Sequence, residues 1–201
     1  LFDTSHSQHI HHESSKPTQN YGHSNATISL TTSIFGTHPK LKKLLVLDLD
    51  ETLIHSSTNV NAVSRFAIPS KMKYDFTINA MIAHDTLKFF ISKRPNVDFF
   101  LEKVMEWYEV AIFTASLKQY ADPIINILDP HHRINRRLFR EMCKQEGANY
   151  IKDLSKLCDT RDLSQIIIID NSPAAYSMHR DNAVPIEDWE GINPKDTALL
   201  E

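Results

Sequence analysis

Two aspartates, Asp48 and Asp50, stand two positions apart at the end of the apolar run Leu44-Leu45-Val46-Leu47. On an extended backbone that spacing turns both side chains to one face. Carboxylates aimed together repel, so one keeps its proton unless a cation sits between them. Asn171 offers a neutral oxygen that would complete a hard-cation site, and ligation by oxygen alone favours Mg²⁺. A carboxylate nucleophile beside a second carboxyl is also the arrangement a phosphoaspartyl intermediate requires. One aspartate attacks phosphorus; the other protonates the leaving oxygen and later deprotonates water. Phosphate monoesters hydrolyse so slowly unaided that such a site must lower the barrier by more than about 20 kcal/mol. A metal ion and a lysine are the sources of charge stabilisation to look for.

These residues need elements to hold them, and the sequence supplies an α/β pattern from Lys40 onward. Leu44-Leu45-Val46-Leu47, Val110-Ala111-Ile112-Phe113 and Ile166-Ile167-Ile168-Ile169 are continuous apolar runs, as in strands buried on both faces of a parallel sheet. Val97, Phe100, Leu101, Val104, Met105 and Tyr108 recur at helical spacing behind Pro95. Asp122-Pro123 predicts a second helix through Leu128, and Ser172-Pro173 a third. Residues 72–92, rich in β-branched and aromatic types, predict an inserted β-hairpin turning at Ala83-His84-Asp85. The expected fold is α/β: a doubly wound, mostly parallel central sheet with a small inserted hairpin and no large cap. The three apolar runs end in Asp48-Leu49-Asp50-Glu51-Thr52, Thr114-Ala115-Ser116 and Asp170-Asn171-Ser172. Ligands of open α/β sheets bind beyond the carboxyl ends of the strands, so these endings should share one pocket.

Composition sets the outer limits. The 201 residues carry 22 Lys and Arg against 25 Asp and Glu, a net charge of −3, so no global basic field draws in nucleic acid. Two cysteines, Cys143 and Cys158, are too few for a disulfide framework or a zinc site and fit a reducing compartment. No apolar run reaches the ~18 residues that span a membrane. Four glycines argue against a phosphate site built on a glycine-rich loop. Residues 1–39 read as a flexible low-complexity lead, with seven Ser, six Thr and five His before position 24. Those histidines lack the regular spacing and the cysteines of a metal site, and Asn25-Ala26-Thr27 spells a glycosylation sequon. The chain begins at Leu1 rather than Met, so an upstream segment is expected.

Leu47-Asp48-Leu49-Asp50-Glu51-Thr52-Leu53 resembles the first motif of the haloacid dehalogenase superfamily. With Ile54-His55-Ser56 it resembles the small C-terminal-domain phosphatase-like (FCP/SCP-type) branch, related to enzymes acting on the RNA polymerase II tail. Lys93-Arg94-Pro95, Phe113-Thr114-Ala115-Ser116, Tyr120-Ala121-Asp122-Pro123, Tyr150-Ile151-Lys152-Asp153-Leu154-Ser155, Asp170-Asn171-Ser172-Pro173 and Asp181-Asn182-Ala183-Val184-Pro185 agree in order, over roughly Lys40 to Leu200. The resemblance implies a Mg²⁺-dependent protein serine/threonine phosphatase in a domain spanning 40–201. Asp48 would be the nucleophile and Asp50 the general acid/base. Magnesium would be held by the Asp48 carboxylate, the Asp50 main-chain carbonyl and Asn171, with Asp170 orienting metal-bound water. Thr52, Thr114 and Lys152 would hold the phosphoryl group, and Arg140 would lie on the substrate side. Arg133, Arg136, Arg137, Arg140 and Lys144 form the most basic stretch, which reads either as a solvated face or as a phosphoprotein-docking strip.

Val97-Asp98-Phe99-Phe100-Leu101-Glu102 with Trp107-Tyr108-Glu109 is most similar to the Dullard-type nuclear envelope phosphatases. That resemblance implies a phosphorylated protein segment as substrate, a regulatory subunit, and a place on the nuclear or cytoplasmic face of the nuclear envelope and endoplasmic reticulum, or in the cytoplasm. Thr58 stands where the polymerase-tail enzymes carry an aromatic residue lining a proline pocket. The family continues into a helix where this chain stops, so a C-terminal truncation is expected. Only about 66 residues separate Asp48 from Thr114, too few for a large cap, which favours a protein segment over a sugar phosphate. Two rival readings stay open: a small-molecule phosphatase, and a non-catalytic binding module like the mitochondrial inner-membrane import receptor. That receptor lacks the paired aspartates.

Overall fold

Residues 42–58, 74–159 and 161–201 are described by the computed structural model. The expected 1–39 lead, its histidines and its sequon lie outside them, as do residues 59–73. In chain order the elements are β1 (Leu44–Leu47), β2 (Ile54–Thr58), β3 (Phe76–Ile82), β4 (Asp85–Lys93), α1 (Val97–Trp107), β5 (Glu109–Phe113), α2 (Lys118–Leu128), β6 (Arg136–Leu138), β7 (Lys144–Glu146), β8 (Asn149–Ile151), β9 (Ile166–Asp170) and β10 (Ala183–Pro185).

The predicted apolar runs become the centre of a five-stranded sheet of order β10-β9-β1-β5-β6, paired in parallel throughout. Four consecutive buried residues in β1 follow from its central position, because alternate side chains feed opposite layers. Leu45 and Leu47 join Val110 and Ile112 beneath α1 and α2; Leu44 and Val46 join Ala111 and Phe113 in a second core. Both α-helices therefore cover one face. Short 3₁₀ turns cover the other, chiefly through Leu154 and Leu157, together with Tyr176.

The α/β fold and the inserted hairpin are as the sequence predicts, with β3 and β4 joined through Ala83 and His84. A third strand, β2, extends the insert by pairing antiparallel with β4. Two helix expectations need correcting. The second helix starts at Lys118 rather than Asp122, because the Leu117 carbonyl already accepts the Tyr120 and Ala121 N–H groups. Pro123 thus sits inside it and forgoes one ladder bond. Ser172-Pro173 opens a run of turns, not a helix. The Ala175 carbonyl accepts the Lys152 N–H at 2.7 Å, and the Ala175, Ser177 and His179 N–H groups each bond a carbonyl three residues back, the pattern of successive turns rather than of an α-helical ladder. No helix among the described residues is long and apolar enough to cross a membrane.

Candidate active site

The chain leaves β1 toward β5 on one side and returns to β9 on the other, so the carboxyl end of β1 is a switch point of the sheet. Asp48 follows β1 directly, Thr114 follows β5, and Asp170 closes β9. All three line one cavity of about 630 Å³, together with Asp50, Ser116, Tyr120, Arg140, Lys152 and Asn171. The expected convergence of the three polar strand ends is present. Hydrogen bonds from Asp48 N–H to Ile169 (3.0 Å) and from Thr114 N–H to Leu138 (2.9 Å) continue the sheet ladder to the site and fix both backbones.

Lys152 is the electrostatic centre. Its Nζ donates to Asp48 Oδ1 at 2.5 Å and to Asp170 Oδ2 at 2.6 Å, and the residue is 2% exposed. Burial works against the ammonium, yet the two carboxylates outweigh it and hold the lysine proton more firmly than usual. Burial pushes Asp170 upward against the pull of Lys152. Two carboxylates facing one ammonium leave surplus negative charge at this point.

After β1 the chain makes a tight turn. Leu53 and Ile54 N–H groups both reach the Leu49 carbonyl, and Glu51 takes φ 60°, a strained value for a residue with a Cβ. The turn presents Asp50 to Tyr120 and Ser116 rather than to an ammonium partner. Tyr120 donates its phenol O–H to Asp50 Oδ1 at 2.5 Å, and Ser116 donates to Oδ2 at 2.7 Å. Burial lifts Asp50 to about 6 despite these two donors.

Thr52, expected on the phosphate, is fully buried and does not line the cavity. Its hydroxyl lies 3.3 Å from Asp48 Oδ2 and 3.1 Å from Asn171 Oδ1, so it braces the carboxylate and the amide instead. Thr114 Oγ1 accepts the Ser116 N–H at 3.0 Å, which keeps its own hydroxyl proton for another acceptor. Asn171 Nδ2 donates to Asp188 at 2.8 Å, leaving Oδ1 as the ligand-type atom. Arg140 faces the cavity, anchored on the Ala115 carbonyl at 2.6 Å and stacked over Tyr150 at 5.0 Å. Its basic neighbours do not share that role. Arg136 pairs with Glu109 and Asp159, Arg137 with Asp122, and Lys144 with Glu146, so the strip is largely an ion-paired face.

Among the described residues no group of three or more His, Cys, Asp or Glu is arranged to hold a metal. A cation here would rest on fewer acidic side chains and on neutral oxygens. The donors fit a hard ion: one hydroxyl reaches both Asp48 Oδ2 and Asn171 Oδ1, so these oxygens lie close together beside uncompensated negative charge. Sequence reasoning missed Tyr120 and Ser116 as partners of Asp50, Asp188 as partner of Asn171, and Arg94. The buried Arg94 guanidinium donates to the Thr52 carbonyl at 3.1 Å and forks onto Asp196 at 2.7 and 3.0 Å.

Comparison with known proteins agrees with the geometry. The chain is 47% identical over 160 residues to CTD nuclear envelope phosphatase 1B of Danio rerio, covering 79% of this chain and 63% of that protein. It is 44% identical over 160 residues to the CTD small phosphatase-like protein of Homo sapiens, covering 80% of this chain and 53% of that protein. Among solved structures, Fcp1, an essential RNA polymerase II CTD phosphatase, superposes with a TM-score of 0.59 at 28% identity, over 74% of this chain and 42% of that one. The chain spans just under two thirds of the length of the nuclear envelope relatives it matches. The family model described as NLI interacting factor-like phosphatase matches residues 43–201, and the chain belongs to that family.

Proposed function

We propose that residues 40–201 form a Mg²⁺-dependent protein serine/threonine phosphatase that works through phospho-Asp48. The observation that carries this reading is the separation of two carboxyls on one cavity by their partners. Asp48 is held by the Lys152 ammonium that it shares with Asp170, whereas Asp50 is held by two neutral hydroxyls. In the first step an Asp48 oxygen attacks phosphorus. The bond from phosphorus to the serine oxygen breaks, its electron pair stays on that oxygen, and Asp50 delivers the proton it needs. In the second step Asp50 takes a proton from water, whose oxygen attacks phosphorus and frees Asp48 and inorganic phosphate. Lys152 and Thr114 stabilise the phosphoryl oxygens, and Thr52 and Asp188 hold Asp48 and Asn171 in place. A magnesium ion held by Asp48, the Asp50 carbonyl and Asn171, with Asp170 near its water, would supply charge neutralisation on those oxygens.

The phosphorylated protein segment is the proposed substrate. Among the described residues the insert is a small three-stranded sheet that lines one side of the cavity without closing it, which leaves room for a peptide. Arg140 stands ready for an acidic or phosphorylated neighbour on the segment. The names of the nuclear envelope relatives support a site of action at the nuclear envelope; the endoplasmic reticulum as a further site and a regulatory subunit as partner belong to the proposal. The Asp48→Asn variant should lose all measurable turnover of a phosphoserine peptide while keeping its circular dichroism spectrum. Wild-type turnover in that variant would sink the mechanism. A panel of phosphopeptides and small phosphosugars, assayed with and without Mg²⁺, tests the substrate class; equal turnover of both would point to a small-molecule enzyme.

A further inference from the structure

Both oxygens of Asp50 are taken by hydroxyl donors, Ser116 from the β5–α2 link and Tyr120 from the first turn of α2. A carboxyl held at one oxygen can still turn about its bond to Cβ. Held at both from independent anchors, it cannot. The Tyr120 anchor is itself packed in place: the residue is 6% exposed and its ring lies against Phe89 of β4 with centroids 4.7 Å apart. The inserted sheet thus braces the ring, and its phenol braces Asp50. We propose that Tyr120 is a positioning residue for proton delivery, fixing the Asp50 carboxyl toward the leaving oxygen and so favouring substrates whose leaving group cannot depart unprotonated. This rests on the role given to Asp50 under the proposed function.

The chemistry sets a discriminating readout. When phosphorus passes from a serine oxygen to Asp48, the electron pair of the broken bond lands on an alkoxide-like oxygen that must receive the Asp50 proton. With p-nitrophenyl phosphate the departing phenolate carries the pair without a proton. Placement of Asp50 therefore governs transfer from the peptide far more than transfer from the aryl ester. Hydrolysis of phospho-Asp48 is common to both substrates and enters kcat, whereas kcat/KM reports the steps up to transfer.

The test is the Tyr120→Phe variant, which keeps the ring and removes the donor. Its kcat/KM for a phosphoserine peptide should fall about 10- to 100-fold, within the range general acid catalysis supplies. For p-nitrophenyl phosphate it should fall no more than about threefold, because misplaced acid costs that ester little. Equal losses on both substrates, or no loss on either, overturn the proposal. Should Tyr120→Phe fail to fold by circular dichroism, Ser116→Ala must show the same split at smaller size, and a uniform loss there overturns it. Asp50→Asn serves as reference. If Asp50→Asn shows the split and Tyr120→Phe does not, only the positioning role falls; if Asp50→Asn shows no split, the proton-donor reading falls with it. Residual turnover by Asp48→Asn would separately indict the nucleophile.

Discussion

Lys152 is a buried cation kept charged by the pair of carboxylates it joins. Replacing it with Met would keep much of the stem's volume and remove the charge, leaving Asp48 and Asp170 buried beside each other. Breaking such a pair by deleting one partner costs about 3–5 kcal/mol. Lys152→Met should therefore lower the urea midpoint by that equivalent at neutral pH and abolish phosphopeptide turnover. Lys152→Arg should not restore activity, since a planar fork does not fit a site shaped for a compact ammonium. An unchanged urea midpoint in the Met variant would show that the carboxylates are not both charged. At this scale the sequence exposed residues whose neighbours in the chain announce them, such as Asp48, Asp50, Thr114, Lys152 and Asn171 at polar strand ends and in family motifs. It placed Ser116, Tyr120 and Arg94 in motifs too, but concealed what they bind, because their partners stand 66, 70 and 102 positions away. Nothing local distinguishes a tyrosine that will face Asp50 from one that will simply fill the core.

Elements were legible where burial on both faces forced continuous apolar runs, as in β1, β5 and β9, or where a helical stripe was long, as in α1. They were obscure where three residues suffice for a strand, as in β6, β7, β8 and β10, because no periodicity can develop over that length. The helix expected at Ser172-Pro173 is instead a run of turns whose Ala175 carbonyl joins the distant Lys152 N–H, a long-range contact that a local start signal does not report. The start of α1 makes a testable case. Asn96, its N-cap, takes φ 68° and makes no side-chain cap bond, so it is present for its tolerance of the left-handed region rather than for capping. Asn96→Ala should cost about 1 kcal/mol, whereas Asn96→Gly should stay within a few tenths of wild type. Thermal melts of the two variants decide this; a Gly variant as unstable as the Ala variant would show that the amide, not the backbone angle, matters.

At the scale of the whole molecule, the site is closed from behind by the last residues of the described chain. Asp188 meets Asn171, the Trp189 N–H donates to the Glu51 carbonyl at 2.9 Å, and Asp196 forks onto Arg94, which in turn donates to the Thr52 carbonyl. Three tethers thus hold the Asp48–Ile54 turn and its neighbour Asn171 to a segment that has little regular structure of its own. Leu199 anchors the far end in the main core. Removing the Asp196 carboxyl strands a fully buried guanidinium, so Asp196→Ala should cost about 3–5 kcal/mol. The Arg94→Met/Asp196→Ala double variant should be less destabilised than the two single losses added together, with a coupling of at least about 1 kcal/mol. The pair also has a pH signature. Arg94 holds the Asp196 carboxyl below its ordinary value. The unfolded chain then binds that proton first, so the pair's stabilisation is complete above about pH 5 and fades as pH falls through the lower, folded value. Wild type should accordingly exceed Asp196→Asn by a constant margin from pH 7 to about pH 5, and the margin should shrink below about pH 4 in urea titrations. A margin that stays constant to pH 3 would mean that the segment is held by its other tethers, Asp188, Trp189 and Leu199, and that the ion pair contributes geometry to the turn without contributing stability to the fold.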